Sequence, residues 1–250
     1  MSPLRGHAHL TQAEYVACLR ADSDRLAAAA RGRLDAPIPS CPEWTMQDLV
    51  GHTGGVQNFW CQIAERRLSD PRQGEAPEIP SDDSVIDWFG HQSAHLADVL
   101  ESADPDAPCW SWSGQKEVGF IIRRMAQETS IHRFDAELGA GAPQPIVPPE
   151  LARDGVDELL DTFLPADDRE LTGGSGTIHL HQTDGQGEWV LTLTPRGVEV
   201  DHSHAKGDAA VRATGSDLVL LLWQRIGLDD VEVLGDPPPL ERLLAWMDLD

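Results

Sequence analysis

Through the first half of the chain, apolar residues recur every three or four positions, the spacing that places side chains on one face of an α-helix. Between Met46 and Arg66 that face is marked by Leu49, Val56, Phe59 and Ile63, and between Ser84 and Glu101 by Val85, Phe89, Leu96 and Leu100. A further stripe of Val118, Ile121, Met125 and Ala136 predicts a helix from about Glu117 to Gly139. Thr11-x-x-Glu14 and Thr45-x-x-Asp48 read as capping boxes, whose side chains satisfy backbone N–H groups that a first helical turn leaves unpaired. The earlier box opens a helix that runs through an Ala-rich stretch to about Gly32. The first half therefore reads as four helices.

The period then changes. Gly139 to Pro149 holds four prolines and predicts a linker. Beyond it come a short helix from Pro149 to Phe163 and alternating strands around Thr177 to Gln182 and Trp189 to Thr194. A third strand near Ala209 to Thr214 and helices over Ser216 to Ile226 and Pro239 to Met247 close the chain. The expected class is α+β: a helical bundle over residues 1–140, a Pro-rich linker over 141–148, and a small α+β domain over 149–250.

Three polar residues break the apolar faces. His52 falls among the apolar positions of the second helix, and Glu128 and His132, four apart, fall on the stripe of the fourth. Burying a carboxylate and two imidazoles unpaired costs several kcal/mol, roughly the stability margin of a domain. A divalent metal removes that penalty, and a His₂Glu set is the composition of catalytic zinc sites that keep a fourth position open. The alternative is that the three only hydrogen-bond to one another in a helical core. His91 and His95 are a control: they lie opposite the stripe of their helix and are expected to be solvated.

Composition narrows the classes of function. No stretch reaches the ~18 apolar residues of a membrane span and the N-terminus carries no signal-peptide core, so a cytoplasmic location is expected. With 42 acidic against 19 basic side chains the net charge is −23, which repels phosphate backbones and anionic lipid; neither nucleic acid nor membrane is an expected partner. Cys18, Cys41, Cys61 and Cys109 form no Cys-x-x-Cys pair and read as reduced structural thiols. Lys116 and Lys206 are the only lysines, a bias that fits a GC-rich, actinobacterial-like genome.

Two stretches carry a family resemblance. Cys41-Pro-Glu-Trp-Thr-Met-Gln-Asp-Leu-Val-Gly-His52 and Arg124-Met-Ala-Gln-Glu128-Thr-Ser-Ile-His132-Arg-Phe-Asp135 resemble the signatures of the mycothiol-dependent maleylpyruvate isomerase family, within the DinB/YfiT-like superfamily of metal-binding four-helix bundles. The resemblance implies that His52, Glu128 and His132 bind a divalent metal, usually taken as zinc, and that mycothiol is the thiol cosubstrate. Gly215-Ser-Asp-Leu-Val-Leu-Leu-Leu-Trp-Gln-Arg225 resembles the segment that opens a helix of the family's smaller domain, which implies a catalytic role for Arg225. Its planar fork suits a substrate carboxylate, with a surface or interdomain salt bridge as the alternative. The function implied is a zinc enzyme that activates a low-molecular-weight thiol for cis–trans isomerisation or S-transfer on a small organic substrate. Two rivals stay open: a metal-dependent hydrolase using bound water, and a non-catalytic, metal-stabilised small-ligand-binding protein.

Other positions have weaker claims. Asp48 is expected to cap rather than to orient His52, and Asp135 either steadies an imidazole or pairs with an arginine such as Arg124. Trp110 and Trp112 either wall a cleft or anchor their loop, the latter being the commoner role. His179 with His181, and His202 with His204, have metal-compatible spacing, but no third ligand is near in sequence and they are expected to be solvated.

Overall fold

The computed structural model describes residues 10–143, 145–166 and 169–247, and the chain divides into two compact units, residues 11–145 and residues from 146 onward. The first is built from α1 (Gln12–Ala30), α2 (Met46–Arg66), α3 (Ser84–Ser102) and α4 (Val118–Gly139), with a small antiparallel hairpin of β1 (Pro37–Ile38) and β2 (Cys41–Thr45) between α1 and α2. Helices α1 and α2 each pack on both α3 and α4, which makes a four-helix bundle. Both capping boxes form: Thr11 and Glu14 close the start of α1, and Thr45 and Asp48 that of α2. Asp48 thus caps its helix and stands exposed.

The stripe of α3 is as the periodicity predicts, with Val85, Phe89, Leu96 and Leu100 buried and His91 and His95 exposed. The stripe of α2 is rotated from the predicted one. Its innermost positions are Leu49, Val50, Thr53, Gln57, Trp60, Ile63 and Ala64, while Val56 and Phe59 are half-buried. The reason is a polar layer in the bundle core: Gln57 Nε2 donates to Thr129 Oγ1 at 3.0 Å and to Ser23 Oγ at 3.4 Å, and Ser93 Oγ donates to Gln57 Oε1 at 2.5 Å. One amide is satisfied by hydroxyls from the other three helices, so polar side chains occupy the positions that apolarity would mark as the core. Helix α4 is buried almost all round rather than along one stripe, and its Arg133, fully buried, contacts Asp22 Oδ1 at 3.2 Å and Glu137 Oε2 at 2.9 Å.

In the second unit α5 (Pro149–Glu158) runs through a π turn, Leu159–Phe163, into α6 (Leu164–Ala166). A five-stranded sheet follows, of β3 (Gly176–Gln182), β4 (Glu188–Thr194), β5 (Gly197–Asp201), β6 (Ala209–Ala213) and β7 (Glu232–Gly235), in the order β5-β4-β3-β6-β7. All neighbours are antiparallel except β3 and β6. Helix α7 (Gly215–Leu222) packs on α5, and α8 (Pro238–Trp246) on β3 and β6. The architecture is α+β, and the strands that the alternation did not predict, β5 and β7, are the two edges, short and half-exposed. Among the described residues no helix is long and apolar enough to cross a membrane.

Candidate metal centre

Two helices of the bundle bring His52, Glu128 and His132 together. Nε2 of His132 lies 3.2 Å from Glu128 Oε1, and Nε2 of His52 lies 3.7 Å from the same oxygen. The two imidazole rings meet edge to face with centroids 5.1 Å apart. Side-chain exposure rises from 9% at His132 through 21% at Glu128 to 38% at His52, so the cluster grades from the interior of the bundle to solvent. His52 is thus on the margin of the α2 core stripe rather than in its middle as the periodicity predicted, because Thr53 and Gln57 turn the helix by part of a turn. For a site that must admit a ligand, this placement is the more useful one.

The surroundings fix each group. Nδ1 of His132 faces Asp135 Oδ2 at 3.1 Å, and Ser40 Oγ donates to the other Asp135 oxygen at 2.6 Å. Asp135 therefore steadies an imidazole and leaves Nε2 of His132 aimed at Glu128. Burial alone would lower the His132 pKa, but the hydrogen bonds that its ring donates to Asp135 and Glu128 outweigh it and push it up to about 9. Burial would likewise raise Glu128, but His132, His52 and the Arg124 guanidinium, whose nitrogen is 3.0 Å from Glu128 Oε2, hold it well below the usual carboxylate range. Trp44 stands 4.7 Å from His52 between ring centroids.

Sequence reasoning passed over Ser40 and Trp44, which the β1–β2 hairpin delivers to the site. Trp44 lay in plain view, directly before the capping box of α2. Trp110 stacks on Trp60 with centroids 5.7 Å apart and anchors its loop; Trp112 meets the edge of Phe120 and remains partly exposed. Arg225 lies in the second unit, just past α7, where its side chain donates to the Trp223 carbonyl at 2.9 Å. The expectation that the remaining histidines are solvated fails for most of them. His179 is buried, and His179, His181 and His204 all contact Glu188, while His202 lies 3.2 Å from Asp161 and 3.4 Å from Asp157. The missing partner was legible, since extending the antiparallel register of the two predicted strands sets Glu188 opposite His181.

A helical bundle that gathers two imidazoles and a carboxylate into a cluster running from its interior to solvent, followed by a separate α+β unit, defines the class of protein. Residues 16–137 match the mycothiol maleylpyruvate isomerase N-terminal domain and residues 150–242 match the C-terminal domain of the same enzymes. The chain belongs to the mycothiol-dependent maleylpyruvate isomerase family. The crystal structure of the mycothiol-dependent maleylpyruvate isomerase is similar, with a TM-score of 0.60 at 16% identity over 92% of this chain and 95% of that one. A histidine-to-alanine mutant of that enzyme matches with a TM-score of 0.59 at the same identity and coverage. No curated protein matches the chain by sequence.

Proposed function

We propose that the chain is a divalent-metal enzyme using a low-molecular-weight thiol, mycothiol, with His52, Glu128 and His132 as its metal ligands and zinc as the ion. The observation that carries this reading is the convergence of two imidazole Nε2 atoms on one oxygen of a carboxylate whose pKa is held low. The donor set suits the ion. Each ring offers a lone pair once neutral, the carboxylate is already ionised, and Asp135 fixes the orientation of His132. When bound, the dication supplies an open coordination position and the charge that keeps a thiol deprotonated at neutral pH.

The chain's own groups do the rest. Asp135 and Ser40 hold the His132 ring, Arg124 holds Glu128, and Trp44 stands beside His52. Arg225 is assigned to the substrate carboxylate, which its planar fork can take through both oxygens. In the isomerisation, the sulfur adds to a conjugated cis double bond and the carbonyl takes up the electron pair. Rotation about the resulting single bond and expulsion of the sulfur then return the thiol unchanged. Maleylpyruvate, the substrate in the name of the similar enzyme, is the first compound to test. Metal-loaded protein should convert it to the trans isomer only when mycothiol is present, and cobalt-loaded protein should gain a sulfur-to-metal charge-transfer band with mycothiol but not with S-methyl mycothiol. An unchanged spectrum at saturating mycothiol overturns the thiol reading and favours metal-bound water. Arg225→Ala should leave that band intact and depress turnover of the anionic substrate, and an unaffected rate returns Arg225 to its local contact with Trp223.

A further inference from the structure

We infer that the C-terminal unit carries a second metal site, formed by His179, His181, Glu188 and His204 and suited to a zinc-class divalent ion. The placement follows from strand geometry. His179 and His181 alternate along β3 and so share one face of the sheet. The β3–β4 register sets Glu188 opposite His181, and His204 arrives from the segment after β5, the next strand over.

The side chains converge on a single point. Nε2 of His179 lies 2.5 Å from Glu188 Oε2, while Nδ1 of His181 and Nδ1 of His204 lie 2.6 and 3.1 Å from Glu188 Oε1. The ring centroids are 4.9 to 6.3 Å apart, and the four donor atoms all fall within 4.8 Å of one another. A tetrahedral ion with bonds of about 2.0–2.1 Å needs its donors about 3.3–3.4 Å apart, so small side-chain adjustments close the shell.

A carboxylate has lone pairs enough for three imidazole donors, two of them on one oxygen, so hydrogen bonding satisfies Glu188. It strengthens only by protonating the rings, which sets like charges about 5–6 Å apart. One dication takes a lone pair from each ring and from the carboxylate, and removes that conflict. Three imidazoles with one carboxylate select an ion that prefers nitrogen, which favours zinc over magnesium or calcium. The neighbouring trio of Asp157, Asp161 and His202 makes no equal claim, because Trp189 Nε1 already donates to Asp157 Oδ1 at 2.6 Å. Four protein ligands leave no open position, so the ion is structural: it fastens the segment after β5 onto the β3–β4 hairpin.

The test is the zinc stoichiometry of the full chain, stripped with chelator and titrated with Zn²⁺ against a competing chromophoric chelator. The wild-type chain should take two tight equivalents, and His181→Ala/His204→Ala should take one. These side chains are half-buried and exposed, with His204 73% exposed, so their removal leaves the core intact; His204→Gln serves as a milder second variant expected to weaken one equivalent by more than the 10–100-fold of an outer-shell change. A stoichiometry and affinity unchanged in both variants overturns the inference. Failure of the bundle site is a separate result: His52→Ala/His132→Ala would then bind as much zinc as the wild type, with the β-sheet variants still losing their equivalent.

Discussion

Replacing Asp135 with asparagine changes one atom of the His132 support and tests the bundle site without removing a ligand. In the metal-free protein His132 holds its proton up to about pH 9, so at pH 7 an ion must displace it. Two pH units correspond to about 2.7 kcal/mol, and zinc affinity should therefore rise about tenfold per pH unit, roughly 100-fold between pH 7 and 9. In the Asp135→Asn variant, Ser40 can still donate to the amide oxygen, which turns the NH₂ group toward His132 Nδ1. That nitrogen becomes an acceptor, and the ring proton moves to Nε2, the atom required for the metal. Affinity at high pH should fall about 10–100-fold. Loss of the carboxylate also lowers the His132 pKa, so the proton competes less at pH 7 and the deficit shrinks there. The ratio of dissociation constants, variant over wild type, should thus grow as pH rises. The assay is chelator competition at a series of pH values, with the His52→Ala titration subtracted to remove binding elsewhere. A wild-type affinity flat between pH 7 and 9, or a ratio independent of pH, refutes the reasoning.

Metal-stripped protein should lose stability as pH rises. A pKa raised to about 9 from about 6.5 in the unfolded chain means that the His132 contribution is full below pH 6.5 and gone above 9; melting temperature against pH checks this, and His132→Gln should abolish the trend. Arg133→Met should destabilise the chain by about 3–5 kcal/mol, read from the urea midpoint, since it leaves the buried Asp22 carboxylate with only Ser130 and an Arg25 guanidinium 4.0 Å away. A shift under about 1 kcal/mol would show that Arg25 and Ser130 suffice for Glu137 and Asp22. His91→Ala should leave metal content unchanged in elemental analysis, because its ring is solvated.

What was legible in the sequence was local. The capping boxes at Thr11 and Thr45 involve residues three apart, and the helix stripe at Val85, Phe89, Leu96 and Leu100 has a single apolar solution. Glu128 and His132 were found because they share one helix. What escaped depended on partners distant in the chain. Gln57 carries no apolar signal, and its burial shows only once Ser23, Ser93 and Thr129 are seen around it, which is why the predicted face of α2 was displaced. The β1–β2 hairpin is too short to show alternation, so the contribution of Ser40 was hidden in a Pro-punctuated loop, and Trp44, though visible in the sequence, had no fold to place it beside His52. His204 joins His179 and His181 only through strand pairing, which periodicity does not encode.

The Gln57 amide also sets a tolerance. It is bonded to Thr129, the residue after Glu128, and lies little more than one turn from His52 along α2. Sliding α2 past α4 by a single residue moves it about 1.5 Å, half the length of the 3.0 Å hydrogen bond and a large fraction of the 3.7 Å gap between His52 and Glu128. The polar layer therefore acts as a gauge block between the two helices: one hydrogen bond in the dry interior keeps two donors in the half-open site within working distance. Substitutions on the bundle surface leave this spacing alone, whereas a change at the buried Gln57 or Thr129 alters the calibration of a site that neither residue touches.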